Sequence, residues 1–88
     1  MPAKIHELKV WPEYFTALLD GRKTFELRKD DRGFGVGHVL DLREFSPGDE
    51  TYTGRSVRKK ISYISYGDNA DTNRWGLQPG FAILGLTD

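Results

Sequence analysis

The amino-acid sequence predicts an α+β fold: a small curled sheet or β-barrel of about five strands, with one short helix after the first strand. The chain has 88 residues, 38% of them hydrophobic, which suits one core and a single domain over residues 1–88. Most apolar residues alternate with polar ones, as in half-buried strands, and one early segment has a helical pattern instead. Closure into a barrel would remove the exposed edges of the sheet. An open sheet with the helix on one face is the alternative.

A proline separates the first strand from the helix. Residues 5–11 alternate and predict the strand. Pro12 suits the first position of a helix and Gly21 suits the position just past its end, so we expect a helix of about eight residues between them. The apolar side chains of this helix share one face: Phe15, Leu18 and Leu19. Trp11, just before the proline, is expected to anchor the helix.

The next two strands are expected at residues 24–29 and 38–45, with a glycine-rich turn between them. Successive side chains of a strand point to opposite faces. The apolar set is expected to face the core: Phe25, Leu27, Leu40 and Leu42. The polar set is expected to face outward: Thr24, Glu26, Arg28, Asp41 and Arg43.

Two loops and two strands complete the chain. Residues 46–54 contain one proline and two glycines and predict a surface loop. Residues 55–67 predict a long strand that could curve between two neighbours. Residues 68–80 predict a second loop, which is long for so small a domain and is therefore a functional candidate. Residues 81–86 are continuously apolar and predict a central strand buried on both faces.

Charge and composition narrow the possible functions. Thirteen basic residues balance thirteen acidic ones, so any attraction to nucleic acid must be local. The basic run within residues 55–60 is either a solvated strand edge or a phosphate track. There is no cysteine, and His6 and His38 are not spaced as a ligand pair, so we expect no metal site and no cofactor. No apolar run approaches the roughly 20 residues that span a bilayer. We therefore expect a cytoplasmic protein, monomeric and without membrane contact.

The most distinctive motif is Gly-x-Lys-x-x-Glu-x-Arg, formed by Gly21, Lys23, Glu26 and Arg28. In one interpretation Gly21 only ends the helix and the charges form surface ion pairs, each worth about 0 to 1 kcal/mol. In the other, the three charges line a cleft, where the carboxylate accepts a base amino group and the cations bind phosphate or carbonyl oxygens. The residue pattern alone favours the structural interpretation.

Residues 6–45 and the closing LQPGFAILGL resemble the ASCH domain of the PUA-like superfamily, in particular its short phage and bacterial branch of unknown function. This resemblance covers most of the chain. It implies a PUA-like pseudo-barrel with a cleft beside the helix, lined by Lys23, Glu26 and Arg28. It also implies that the cleft receives RNA or a nucleotide-like ligand. The chain departs from the ASCH pattern at His38, where Asp is common.

The same resemblance supplies an enzymatic alternative. A small ASCH branch hydrolyses the acyl amide of N4-acetylated cytidine with a Lys, a Thr three residues later and a distant Glu. Lys23 matches that Lys, but Glu26 stands at the Thr position, and Thr24 is one residue out of phase on the strand. Binding is therefore the preferred function. Hydrolysis of an acylated cytidine or of RNA, with Lys23 and Glu26 as an acid/base pair, is the alternative.

Aromatic side chains would add base stacking, which contributes about 1 to 3 kcal/mol per base in single-stranded recognition. Trp75, beside Arg74 in the 68–80 loop, is the candidate that the sequence suggests. Alternatively, Trp75 folds back onto the end of the barrel. A third hypothesis is a phage-type protein-interaction module that binds a partner through the loop around Trp75.

Overall fold

The computed structural model describes residues 4–88, which form five strands and two short helices. In chain order the elements are β1 Ile5–Val10, α1 Pro12–Leu19, β2 Phe25–Lys29, β3 Val39–Ser46, β4 Thr51–Tyr66, α2 Ala70–Arg74 and β5 Phe81–Thr87. The strands form one sheet in the order β1-β3-β4-β5-β2. β1 and β3 are parallel, and every other neighbouring pair is antiparallel. Neither helix is long and apolar enough to cross a membrane, within the part of the chain described.

The sheet curls into a half-barrel, compatible with the predicted small α+β barrel-like fold. β4 is the long strand expected from the sequence: its first part pairs with β3 and its last part with β5. Curling brings the two edge strands, β1 and β2, toward each other. Arg28 Nη2 donates a hydrogen bond to the Lys9 carbonyl oxygen at 2.6 Å, and Arg32 Nη1 donates to the Glu7 carbonyl oxygen at 2.7 Å. We call the gap between β1 and β2 the seam. In residues 4–88 it is bridged by these arginines and not by a backbone ladder.

The core lies between α1 and the sheet. Phe15 and Leu18 of α1 are buried, as predicted, whereas Leu19 is half exposed. Apolar side chains from the strands and from the turn after β2 complete the cluster: Leu8, Val10, Phe34, Leu40, Leu42, Ile61, Ile64, Ala82 and Leu84. A single core is thus filled from every strand except β2.

β2 faces the opposite way from the sequence prediction. Phe25 and Leu27 are 45% and 54% exposed, whereas Glu26 is only 4% exposed. The cause is the pairing with β5, which places Glu26 opposite the fully buried Leu84. Directly opposite residues of an antiparallel pair lie on the same face of the sheet. The prediction that Phe25 and Leu27 face the core is therefore wrong, and Glu26 and Arg28 face inward.

Two further strand predictions are confirmed only in part. Asp41 is on the outer face of β3, as predicted, opposite Glu7 of β1. It is nevertheless buried, because Arg43 covers it and donates a hydrogen bond from Nε to Asp41 Oδ2 at 3.1 Å. β5 is an interior strand of the sheet, paired with β4 on one side and β2 on the other. It is not buried on both faces, because its Ile83 shares the open outer face with Leu27, directly opposite.

The two predicted loops are also more ordered than expected. β4 begins at Thr51, which shortens the loop before it. The 68–80 segment contains α2, whose first turn is capped by Asn69: its side-chain oxygen accepts hydrogen bonds from the backbone N–H groups of Asp71 and Thr72. Immediately before this segment, a Cβ added to Gly67 would lie 1.7 Å from the Gln78 carbonyl oxygen. Only glycine permits that close approach.

Candidate functional site

A cavity of about 600 Å³ opens between the end of β1, α1 and β2. Its lining residues are Lys9, Val10, Trp11, Tyr14, Lys23, Phe25, Glu26, Leu27 and Arg28. We call this cavity the cleft. Its volume lies within the range of small-molecule sites, about 300 to 1,000 Å³.

The turn after α1 leads the chain to the wall of the cleft. Gly21 has a φ of 85°, in the left-handed region that glycine adopts without strain and that commonly ends a helix. The chain then turns so that the Lys23 backbone N–H donates to the Ala17 carbonyl oxygen at 2.9 Å. Gly21 therefore has the structural role predicted for it, and the turn it makes sets the position of Lys23 ahead of β2.

Three charged side chains meet in the wall of the cleft. Lys23 Nζ lies 2.6 Å from Glu26 Oε1, and Arg28 Nε lies 2.9 Å from Glu26 Oε2. A buried carboxylate requires such partners, since loss of its hydration costs several kcal/mol. The side chains of Lys23 and Arg28 remain 19% and 27% exposed. The trio therefore combines a fixed acceptor with two accessible donors, and one positive charge is in excess.

Aromatic rings form the rest of the rim. Trp11 and Tyr14 stack with their ring centroids 6.4 Å apart, and each is about half exposed. The Lys23 ammonium lies 5.0 Å from the Phe25 ring centroid and 5.9 Å from that of Tyr14, within the range of cation–π attraction. These rings offer flat apolar surface beside the charges.

This aromatic rim was not predicted from the sequence. Trp11 was expected to anchor the helix, but it is half exposed at the cleft. A usable signal was present, because residues three apart share a helix face and Trp11 precedes Tyr14 by three. Phe25 was predicted to face the core, and it lies on the rim because β2 presents the opposite face to the core.

Three of the five residues predicted to bind a ligand lie together in the cleft, and the other two lie elsewhere. Lys23, Glu26 and Arg28 are in direct contact, as described. Arg74 and Trp75 are not among the residues that line the cleft. Arg74 pairs with Asp71 at 2.5 Å, and Trp75 is 76% exposed at the end of α2, so it is not folded onto the barrel. A role for this pair in nucleic-acid binding stays a prediction.

A second polar contact joins the two histidines, which are 32 positions apart. His6 Nε2 lies 3.0 Å from His38 Nδ1. The Gly35 backbone N–H also donates to His38 Nδ1, at 3.1 Å, so this nitrogen is an acceptor and His6 Nε2 carries the shared hydrogen. Burial, together with repulsion from His38, lowers the pKa of His6 below its ordinary 6.5. This pair attaches the turn after β2 to β1.

Fold and site together define a small α+β protein with a curled five-stranded sheet and a charged, aromatic-rimmed cleft at its seam. The chain belongs to the family described as "Domain of unknown function (DUF3850)", whose model matches residues 5–86. It is similar to the "Uncharacterized 12.9 kDa protein in GpA 3'region" of Escherichia phage P2, with 42% identity over 65 residues. That match covers 74% of this chain and 58% of the phage protein. The predicted relation to a phage-associated branch of unknown function agrees with both findings, and the ASCH assignment stays a prediction.

Proposed function

We propose that this protein is a PUA-like module that binds single-stranded RNA or a nucleotide, with one base held in the cleft. The observation that supports the proposal is the buried Glu26 carboxylate, clamped by Lys23 and Arg28 in the wall of a cavity that has exposed aromatic rings on its rim. Single-stranded recognition combines the same two components, stacking surfaces and positive charge.

Each group of the cleft has a distinct part in this proposal. An ionised carboxylate offers about four acceptor directions, so Glu26 can receive a base amino group while it keeps Lys23 and Arg28. Carboxylates accept in this way from the N4 amino group of cytosine. The exposed donors of Lys23 and Arg28 face carbonyl or phosphate oxygens. Trp11 and Tyr14 provide the stacking surface. A base with an amino group is therefore preferred over uracil.

NMR chemical-shift titration with the four nucleotides and with short RNA oligomers tests this function. We expect the amides of residues 23–28 and the Trp11 indole to shift. Trp11→Ala should weaken binding by roughly tenfold, because base stacking contributes about 1 to 3 kcal/mol. Trp75→Ala is the matched control and also tests the predicted role of Trp75. Silence in the cleft at millimolar ligand, or an equal loss in both variants, would contradict the proposal.

A hydrolase is the second candidate, and the 2.6 Å contact between Lys23 Nζ and Glu26 Oε1 favours it. A carboxylate beside an ammonium can take a proton from an attacking water while the ammonium donates to the developing oxyanion. The residues that line the cleft include no serine or threonine, and Thr24 is exposed outside it, so the nucleophile would be water. This differs from the acylase pattern, which uses a Thr hydroxyl.

Incubation with N4-acetylcytidine and with labelled RNA decides between binding and hydrolysis. A hydrolase should release product at a rate that both Lys23→Ala and Glu26→Ala abolish. Turnover that survives in both variants would remove these residues from the mechanism. Binding without turnover would support the binding function and contradict the hydrolase.

A further inference from the structure

We propose that a second depression, beside the cleft, is a phosphate subsite for the nucleotide next to the one whose base occupies the cleft, an inference that rests on the proposed function. The depression has a volume of about 220 Å³. It is lined by Leu8, Arg28, Lys29, Asp31, Arg32 and Phe34. We call it the basic pocket.

The cleft and the basic pocket form one groove along the seam. Arg28 is in the wall of both cavities. On β1, Leu8 of the basic pocket directly precedes Lys9 of the cleft, and on β2, Lys29 directly follows Arg28. A ligand that lies in the cleft can therefore continue along the same two strands into the basic pocket.

The groove is long enough for a base and a neighbouring phosphate. Glu26 and Lys29 are three residues apart on β2, which corresponds to roughly 10 Å of strand at about 3.3 Å per residue. Stacked nucleotides are spaced by about 3.4 Å along a strand. A groove of this length therefore accommodates the base in the cleft together with the phosphate that links its nucleotide to the next.

The side chains of the basic pocket suit that phosphate. The cleft and the basic pocket together contain five cations and two carboxylates, so positive charge is in excess: Lys9, Lys23, Arg28, Lys29 and Arg32 against Glu26 and Asp31. Arg28 and Arg32 each use part of the guanidinium to bridge the seam, and five N–H groups per guanidinium leave further donors for an oxyanion. Lys29 is exposed and, among the residues that the structure describes, forms no ion pair. It is the cation most available to a ligand.

Calorimetric titration at several salt concentrations tests the subsite. The ligands are the four nucleosides, the matching dinucleoside monophosphates, and the nucleoside triphosphates. We expect the preferred dinucleotide to bind roughly tenfold tighter than its nucleoside, as one charge-assisted contact predicts. Its plot of log affinity against log salt should be steeper by about 0.7, the value for one phosphate contact on a single strand.

Substitutions locate the source of this gain. Lys29→Ala and Arg32→Gln should each remove most of the dinucleotide's advantage and leave nucleoside affinity unchanged. Lys29→Ala keeps the seam contact of Arg32 with the Glu7 carbonyl, so it separates phosphate binding from any loosening of the seam. Lys60→Ala, an exposed β4 lysine outside both cavities, removes the same charge and should change neither affinity.

Three results would overturn the subsite. If the dinucleotide's advantage survived in Lys29→Ala and Arg32→Gln, the basic pocket would not bind phosphate, and base binding in the cleft would stand. A gain for the triphosphate without one for the dinucleotide would exclude a neighbouring nucleotide. Failure of every ligand, nucleosides included, would overturn the subsite and the proposed function together.

Discussion

Two buried glutamates, Glu26 and Glu44, differ in what surrounds them. Each is 4% exposed, and each pairs with an arginine. Arg55 holds Glu44 with two parallel hydrogen bonds, from Nε to Oε1 and from Nη2 to Oε2, both 2.9 Å. Thr53 Oγ1 also donates to Glu44 Oε1, at 2.6 Å. The Arg55 and Thr53 hydrogen bonds lower the pKa of Glu44 to about 2.

The contrast shows that burial and pairing of a carboxylate do not by themselves mark a site. Glu44 has a bidentate partner that lies over the Phe15 ring, 5.0 Å from its centroid, and it lines neither the cleft nor the basic pocket. Glu26 is held from two sides by separate cations, and all three side chains line the cleft. We therefore assign Glu44 to the scaffold and propose Glu26 for ligand binding.

The largest expected effect tests whether Glu26 faces inward at all. Leu84, opposite Glu26 on β5, is fully buried, and Leu27 is on the outer face. Leu84→Ala should lower the free energy of unfolding by about 2 to 5 kcal/mol, and Leu27→Ala should change it by about 0.5 kcal/mol or less. Urea denaturation measures both. A larger loss of stability in Leu27→Ala than in Leu84→Ala would mean that Leu27 faces the core, as the sequence predicted, and that Glu26 does not face the cleft.

The same substitution at the two glutamates should separate their roles. Glu26→Gln removes the charge that we propose for base recognition, and it should weaken ligand binding by roughly ten- to a hundredfold. Glu44→Gln should leave affinity unchanged and lower the thermal midpoint. Calorimetric titration and thermal unfolding give the two readouts. An equal loss of affinity in both variants would mean that Glu44 also acts on the ligand.

Acid should reduce the contribution of Glu44 to stability over a defined range of pH. The pKa of Glu44 is about 2 in the fold, against an ordinary 4.5, so the unfolded chain binds more protons between these values. Its contribution to stability is complete above about pH 4.5 and is lost as the pH falls toward 2. Urea unfolding between pH 5 and pH 2.5 should therefore have a shallower pH dependence in Glu44→Gln than in the wild type. Identical slopes would contradict this assignment.

The smallest expected effect concerns His6, near the other end of β1. Because the fold lowers its pKa below 6.5, the neutral imidazole is favoured in the native state, and its contribution to stability declines as the pH falls below 6.5. NMR titration of the imidazole protons should give a His6 midpoint under 6.5. A midpoint at or above that value would contradict the burial of this ring against His38.

The elements of the fold could largely be read from the sequence, because their signals are local. Pro12 and Gly21 bound a helix that the structure gives as Pro12–Leu19. All five strands lie near their predicted positions, the first three predicted from alternation and β5 from a continuous apolar run. α2 was missed because its five residues have no buried face and its cap, Asn69, is a residue equally common in turns. The Gly-x-Lys-x-x-Glu-x-Arg motif also predicted which charged residues lie together, because Lys23 and Arg28 both contact Glu26.

The sequence by itself determined which residues form strands and which charges stand close together along the chain. Only the tertiary structure decided which face of β2 is inside. Period-two alternation is symmetric between the two faces, and the apolar residues of β2 suggested the wrong one. The choice came from the register with β5, a contact between residues more than 50 positions apart. That register buries Glu26 between two cations, leaves Phe25 exposed, and places both in the cleft that Trp11 also lines.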